Sequence, residues 1–163
     1  MIRHEYQVGV DGYRASGRTT PAGFELRQPI AADRLELAAL MMDAYVGTID
    51  YDGETEEQAA AEVDGYLAGE AYLETSLIAA RDGRIVSAVL VSRILGVPLI
   101  GYAMTRAEAK GQGLASALLD ASAEAIWAAG HDEIRAFITA GNGPSETIFK
   151  RAGFEVIGTY GEE

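Results

Sequence analysis

The sequence predicts a single α/β domain with a mixed central sheet, in which an antiparallel meander feeds a βαβ crossover and helices cover both faces. Three observations predict it. The chain has 163 residues, which suits one compact domain spanning residues 1–163. Residues 76–104 read as consecutive strands separated by turn signals. A glycine loop, a helical pattern and another strand then follow, which is the order of a crossover unit.

Residues 1–23 are rich in Gly, Arg and Thr and have little periodicity. Residues 6–10 read as a short strand, and the rest as turns, an accessory arm or a hairpin. Phe24-Glu25-Leu26-Arg27 alternates apolar and polar residues as a strand does, and Pro29 closes it. Asp33 is placed to cap a helix carrying Leu35, Leu37, Leu40, Met41 and Tyr45 at helical spacing. Residues 47–53 form a turn-rich loop. Residues 54–69 form an acidic helix with Ala59, Val63, Tyr66 and Leu67 on one face. Its Glu54, Glu56, Glu57 and Glu62 read as a solvated face.

Residues 77–80 lead to Asp82-Gly83, a hairpin signal, and residues 85–91 return antiparallel. Gly96-Val97-Pro98 turns the chain into a strand over 99–104. Residues 114–129 form a helix with Leu114, Leu118, Ala121 and Ala125 as a core stripe, ended by Gly130. A strand over 134–138, a short helix over 144–152 capped by Gly153, and a strand over 154–158 complete the domain.

Composition excludes several function classes. Hydrophobic residues make up 48% and charged residues 23%, the balance of a globular protein. No apolar run approaches the roughly 20 residues needed to span a bilayer. Residues 1–6 lack the apolar core of a signal peptide. The absence of cysteine removes disulfides, thiolate metal sites and a cysteine nucleophile. His4 and His131 are far apart and point to no metal site; His131, at a helix end, caps or faces water. These features predict a cytoplasmic protein, and the Ala-, Gly- and Arg-rich composition fits a bacterial source. A net charge of -12 disfavours nucleic acid as a partner. Lysine occurs only at Lys110 and Lys150.

The informative stretch is Arg106 to Ser116. A strand ends at Met104, a polar loop follows, and a helix begins near Leu114. Gly111 and Gly113 let the backbone approach a ligand closely. The first helical turn leaves amide N–H groups without internal partners, and with the helix dipole these make an anion site. Lys110 and Arg106 add charge beside it, so a pyrophosphate fits. A Walker loop needs Gly-Lys-Ser/Thr at the helix start, which is absent. The dinucleotide fingerprint needs a third Gly or Ala where Ser116 stands.

Lys110-Gly111-Gln112-Gly113-Leu114-Ala115 resembles the pyrophosphate motif of the GNAT (GCN5-related N-acetyltransferase) superfamily, Arg/Gln-x-x-Gly-x-Gly/Ala, with lysine in the first place. Residues 142–154, Asn-Gly-Pro-Ser-Glu-Thr-Ile-Phe-Lys-Arg-Ala-Gly-Phe, resemble that family's Asn-x-x-Ala-x-x-Leu-Tyr-x-x-x-Gly-Phe at every spacing. The resemblance covers residues 76–158 well and the N-terminal third in outline. It implies an acetyltransferase using acetyl-CoA or another acyl-CoA. The pantetheine arm would lie between splayed strands 99–104 and 134–139, bonded by main-chain groups of Met104 and Thr105 and, from the other side, by Asn142. Gly111, Gln112, Gly113, Leu114, Ala115 and Ser116 would hold the pyrophosphate. Phe149 lies along the same site, and Lys150 or Arg151 would reach a phosphate or stand as solvated helix charges.

The implied reaction is direct attack of an amine, on a small molecule or a protein, upon the thioester. The family's usual acid is the Tyr of its Leu-Tyr pair. Phe149 stands there and cannot donate, so Tyr102, Ser145 and a bound water are the substitutes. In this fold the acceptor site is shaped by the first two helices and their loop, where Tyr45, Asp50, Tyr51 and Asp52 would hold a cationic amine; a solvated acidic loop is the simpler reading. Phe149 also keeps open a non-catalytic acyl-CoA-binding regulatory module. A homodimer is common in the family.

Overall fold

Asp82 and Gly83 both adopt positive φ, 52° and 77°, as a two-residue turn matched to strand twist requires. They join β3 (Leu77–Arg81) and β4 (Arg84–Ile94). In this computed structural model, which describes residues 1–49 and 51–162, a second such turn at Leu95-Gly96 leads to β5 (Val97–Thr105). Pro98 therefore lies inside the strand, opposite Arg93. β2 (Glu25–Arg27) adds an antiparallel edge to β3. Beyond β5, α3 (Leu114–Ala128) crosses over to β6 (Glu133–Thr139), which runs parallel to β5. α4 (Gly143–Arg151) then leads to β7 (Glu155–Gly161).

β4 is buried on both faces, and its side chains divide between them, alternating beyond a bulge against β3 that leaves Val86 as an extra residue. Val86, Val89 and Val91 join the core under α3 and α4, with Leu114, Leu118, Ile126 and Phe149. Ile85, Ala88 and Leu90 join the core under α1 (Arg34–Tyr45) and α2 (Glu56–Ala68), with Leu37, Leu40 and Val63. Leu90 is fully buried, so Leu90→Ala costs about 2–5 kcal/mol through lost contacts and the cavity left behind. Thr55 starts α2 with a reciprocal cap to Gln58. Among the described residues no helix is long and apolar enough to cross a membrane.

Three expectations are corrected. The N-terminal segment is no accessory: β1 (Ile2–Gly9) is an interior strand, antiparallel to both β6 and β7, in a seven-stranded sheet of order β2-β3-β4-β5-β6-β1-β7. Tyr6 and Val8 enter the α3 core, while Glu5 on the opposite face pairs with Arg135 at 3.0 Å. Asp33 does not cap α1 with its side chain. Its carboxylate accepts two bonds from the Arg27 guanidinium, both 2.8 Å, and one from the Ile30 N–H, which ties β2 to the start of the helices. Leu35 is 65% exposed, outside the core face it was placed on. At the end of α3, His131 Nε2 meets the Tyr72 hydroxyl at 3.0 Å.

Candidate functional site

β5 and β6 pair only at Leu99–Arg135 and Ile100–Ala136, and then diverge. The cause is a bulge. Against β4, Val91 opposes Ile100 and Leu90 opposes Tyr102, so Gly101 is an extra residue. A bulge bends the strand and re-aims the side chains beyond it. Ile100 accordingly lies in the α3 core, whereas Tyr102 packs on the α2 side. A cavity of about 520 Å³ opens where the strands part. Its walls include Gly101, Tyr102 and Ala103 of β5, Phe137–Thr139 of β6, and Asn142, Ser145 and Phe149 of α4 and its cap.

The register also settles which main-chain groups face the gap. The Arg106 N–H donates to Val86 O at 2.8 Å. Hydrogen-bonded pairs alternate along an antiparallel ladder, so Ala88–Met104 is the next bonded pair. The Met104 carbonyl accepts the Ser87 hydroxyl too, at 2.9 Å. Met104 thus turns its peptide groups toward β4 and buries its side chain beside α1 and α2. Ala103 and Thr105 are the residues that present N–H and C=O to the gap. Met104, expected to bond an extended arm, thus turns its main-chain groups away from the gap, whereas those of Ala103 and Thr105 face it.

The glycine loop has the backbone shape expected of an anion cradle. Gly111 and Gly113 have φ of 85° and 79°, where a Cβ is strained. Gly113 starts α3 without a side-chain cap, and no acidic residue occupies the first turn. The N–H groups of Leu114, Ala115 and Ser116 precede the first intrahelical bond, from Ala117 N–H to Gly113 O. Leu114 is 1% exposed and anchors the loop to the core. Lys110 and Gln112 are exposed beside it. Arg106 is directed elsewhere: its guanidinium donates to Ile85 O at 2.9 Å and lies 3.4 Å from Glu36 and 3.7 Å from Asp43. The Asp43 carboxylate also accepts the Ala107 N–H. Arg106 therefore pins the loop to α1 and is not the phosphate-side charge it was expected to be. Lys150 and Arg151 sit exposed in the last turn of α4, where cations complement the helix dipole.

On the other wall, Tyr45, Tyr51, Asp52, Glu54 and Glu62 line the cavity with Arg3 and Met1 of the β1 segment. Asp50 lies outside the described residues. The acidic helix contributes more than a solvated face: the Tyr102 hydroxyl donates to Glu62 Oε1 at 2.6 Å. Burial and this carboxylate both push the Tyr102 ionisation above its ordinary value, so the phenol stays neutral and able to donate. Glu62 follows Ala59 by three residues and precedes Tyr66 by four, at the rim of the buried stripe, a spacing that marks it in the sequence. Ser145 reaches the cavity from α4, and its N–H is capped by Asn142 Oδ1 at 3.3 Å. Phe149 is 3% exposed and packs edge-on against Phe154, 4.9 Å between ring centroids. The site thus brings together Tyr102, Ser145, Asn142, Phe149, Tyr45 and Tyr51 around one cavity, and leaves Met104, Thr105, Arg106, the glycine loop over residues 110–116 and Lys150 off its walls.

A family model described as an acetyltransferase (GNAT) domain matches residues 24–155. The solved structures agree on the fold. A GCN5-related N-acetyltransferase from Sphaerobacter thermophilus superposes with a TM-score of 0.75 at 20% identity, over 98% of this chain and 49% of that one. A protein from Pyrococcus horikoshii gives 0.73 at 18% identity, over 85% and 92%. The N-acetyltransferase PaiA from Thermoplasma acidophilum, solved with coenzyme A, gives 0.67 at 16% identity, over 82% and 91%. The chain thus spans about half the length of the Sphaerobacter protein. Comparison with curated protein sequences finds no match. The match over most of the chain, the splayed parallel strands and the glycine loop converge on one assignment: the chain belongs to the GNAT acetyltransferase family.

Proposed function

We propose that the protein transfers the acetyl group of acetyl-CoA to a primary amine, on a small molecule or a protein, by direct attack on the thioester. The observation that carries this reading is the cavity at the β5–β6 divergence, with Ala103 and the Tyr102–Glu62 pair on its wall and the main-chain groups of Thr105 turned away from β4 beside it. An acyl-CoA fits these residues. Ala103 and Thr105 would bond the pantetheine arm as an added strand, and one of their N–H groups would polarise the thioester carbonyl. The Gly111–Ser116 amides would hold the diphosphate. Bound acetyl-CoA supplies the activated acyl group and a thiol leaving group.

Asp52, Glu54 and Glu62, with the ring faces of Tyr45 and Tyr51, favour a cationic acceptor. An ammonium group must lose a proton before it attacks. Glu62 takes that proton, and Tyr102 gives its own to the departing thiolate. Glu62 then returns a proton to Tyr102 through their hydrogen bond. The nitrogen loses its second proton to solvent, so the products are an amide, free CoA thiol and one released proton.

The test is release of CoA thiol from acetyl-CoA in the presence of primary amines and diamines. Wild-type turnover should fall about 100-fold in both Glu62→Gln and Tyr102→Phe, in the range of a lost general acid or base, with acetyl-CoA affinity retained. Equal turnover in the variants would remove the pair from the mechanism. Phe149 in the usual Tyr position favours a second reading, an acyl-CoA-binding module without turnover; acetyl-CoA binding with no thiol release across the amines would establish it.

A further inference from the structure

The arm between β1 and β2 crosses the α3 face and ends over the glycine loop. Contacts of four residues, Tyr13, Arg14, Ser16 and Arg18, fix its path. The Tyr13 ring packs edge-on against Trp127 and Phe154, and its hydroxyl donates to Asp120 at 2.7 Å. The Arg14 N–H donates to Ala152 O at 2.9 Å. The Ser16 N–H and hydroxyl both donate to the Asp120 carboxylate. The Arg18 N–H donates to Ser16 Oγ at 3.1 Å. The arm therefore runs antiparallel to α3, from its C-terminal half toward its N-terminus. At its end the Arg18 side chain lies against Gly113: a Cβ built there would stand 3.1 Å from Arg18 Cδ and 3.3 Å from Nη1. Past this point Phe24 is held under the Arg81 guanidinium at 4.5 Å.

We infer that Arg18 is a cofactor-binding residue, the side-chain cation for the diphosphate of the acyl-CoA, carried to the loop by the arm. This rests on the reading of residues 111–116 as the diphosphate cradle. Three facts support it. Of the two residues expected to supply charge there, Arg106 is committed to Glu36 and Asp43, which leaves Lys110, an ammonium, as the other. The chain carries -12, so a polyanion needs a local cation to be held. A guanidinium bonds phosphate oxygens in a fork, a geometry that an ammonium lacks. Asp120 acts at one remove, as the residue that positions the arm.

The experiment is calorimetric titration of the full chain with CoA and with pantetheine, which lacks the phosphates. The wild type should bind CoA more tightly than pantetheine. Arg18→Ala should weaken CoA about tenfold to a hundredfold, the range of one charge-assisted bond, and leave pantetheine unchanged. Asp120→Asn should show the same selective loss to a smaller degree. Hydrogen exchange read on the wild type should show slower exchange of the amides of residues 14–20 when CoA is added. CoA discrimination in the wild type that persists in full in Arg18→Ala would overturn the inference while leaving the loop reading intact. Equal affinity of the wild type for CoA and pantetheine would overturn both. Loss of pantetheine binding in Arg18→Ala, with a lowered melting temperature, would overturn the inference in favour of a purely structural role.

Discussion

Tyr102 can serve as an acid because its surroundings keep it protonated. Burial and the Glu62 carboxylate raise its ionisation above the ordinary tyrosine value, which is about 10. Turnover of the wild type should therefore show no alkaline loss up to a pH of about 10, and an alkaline limb near pH 9 would contradict the assignment. The bulge at Gly101 is what aims this side chain at α2. The glycine loop and the residues of α4 were legible in the sequence because their spacing is local. The Glu62 contact was not, because it joins residues 40 apart and an acidic helix face reads as solvated. Arg106 misled for the same reason: a cation beside a phosphate loop in sequence turns to carboxylates on α1 in space.

Most element boundaries follow from turn chemistry and periodicity, and the hairpin at Asp82-Gly83 is the clearest case. Two element junctions carry specific predictions. Gly153, after α4, has φ of 96°, and a Cβ there would overlap the Gly12 carbonyl. Gly153→Ala should lower stability by more than the roughly 1–2 kcal/mol of left-handed strain alone, and denaturant melts measure it. The second concerns Asp33, which joins β2 to the helices. Hydrogen bonds from Arg27 hold its carboxyl below the ordinary value, against a smaller opposing effect of burial. A depressed folded value means that the stabilisation is present above about pH 3.9, the unfolded reference, and is lost as pH falls through the folded value. Arg27→Ala should lower stability near neutral pH and flatten the acid limb of the stability curve below pH 4. A variant with the wild-type acid limb would show that the pair is uncoupled from folding. The capping misassignment at Asp33 arose because Asp precedes a helix for either purpose, and only the fold reveals that Arg27 lies within reach.

At the scale of the molecule, the least expected feature is β1. Only residues 6–10 read as a short strand in the sequence, whereas β1 runs from Ile2 to Gly9. Its place between β6 and β7 depends on partners more than 120 residues away, which no local signal reports. An interior strand has two ladders to lose. Deleting residues 1–9 should therefore abolish cooperative unfolding, and a deletion variant that melts cooperatively near the wild-type temperature would reduce β1 to an accessory. The same placement gives the site two of its wall residues, Met1 and Arg3, and sends the arm across α3. The meander, the crossover and the glycine loop before α3 were readable from the second half of the chain. The first half reaches the site through tertiary contacts.

We propose that this domain holds acetyl-CoA between β5 and β6, and calorimetric titration of the protein with acetyl-CoA measures that binding. Saturable one-to-one binding in the ~micromolar range, about -8 kcal/mol, is the predicted result. The absence of saturable binding up to about millimolar acetyl-CoA, near -4 kcal/mol, would contradict it.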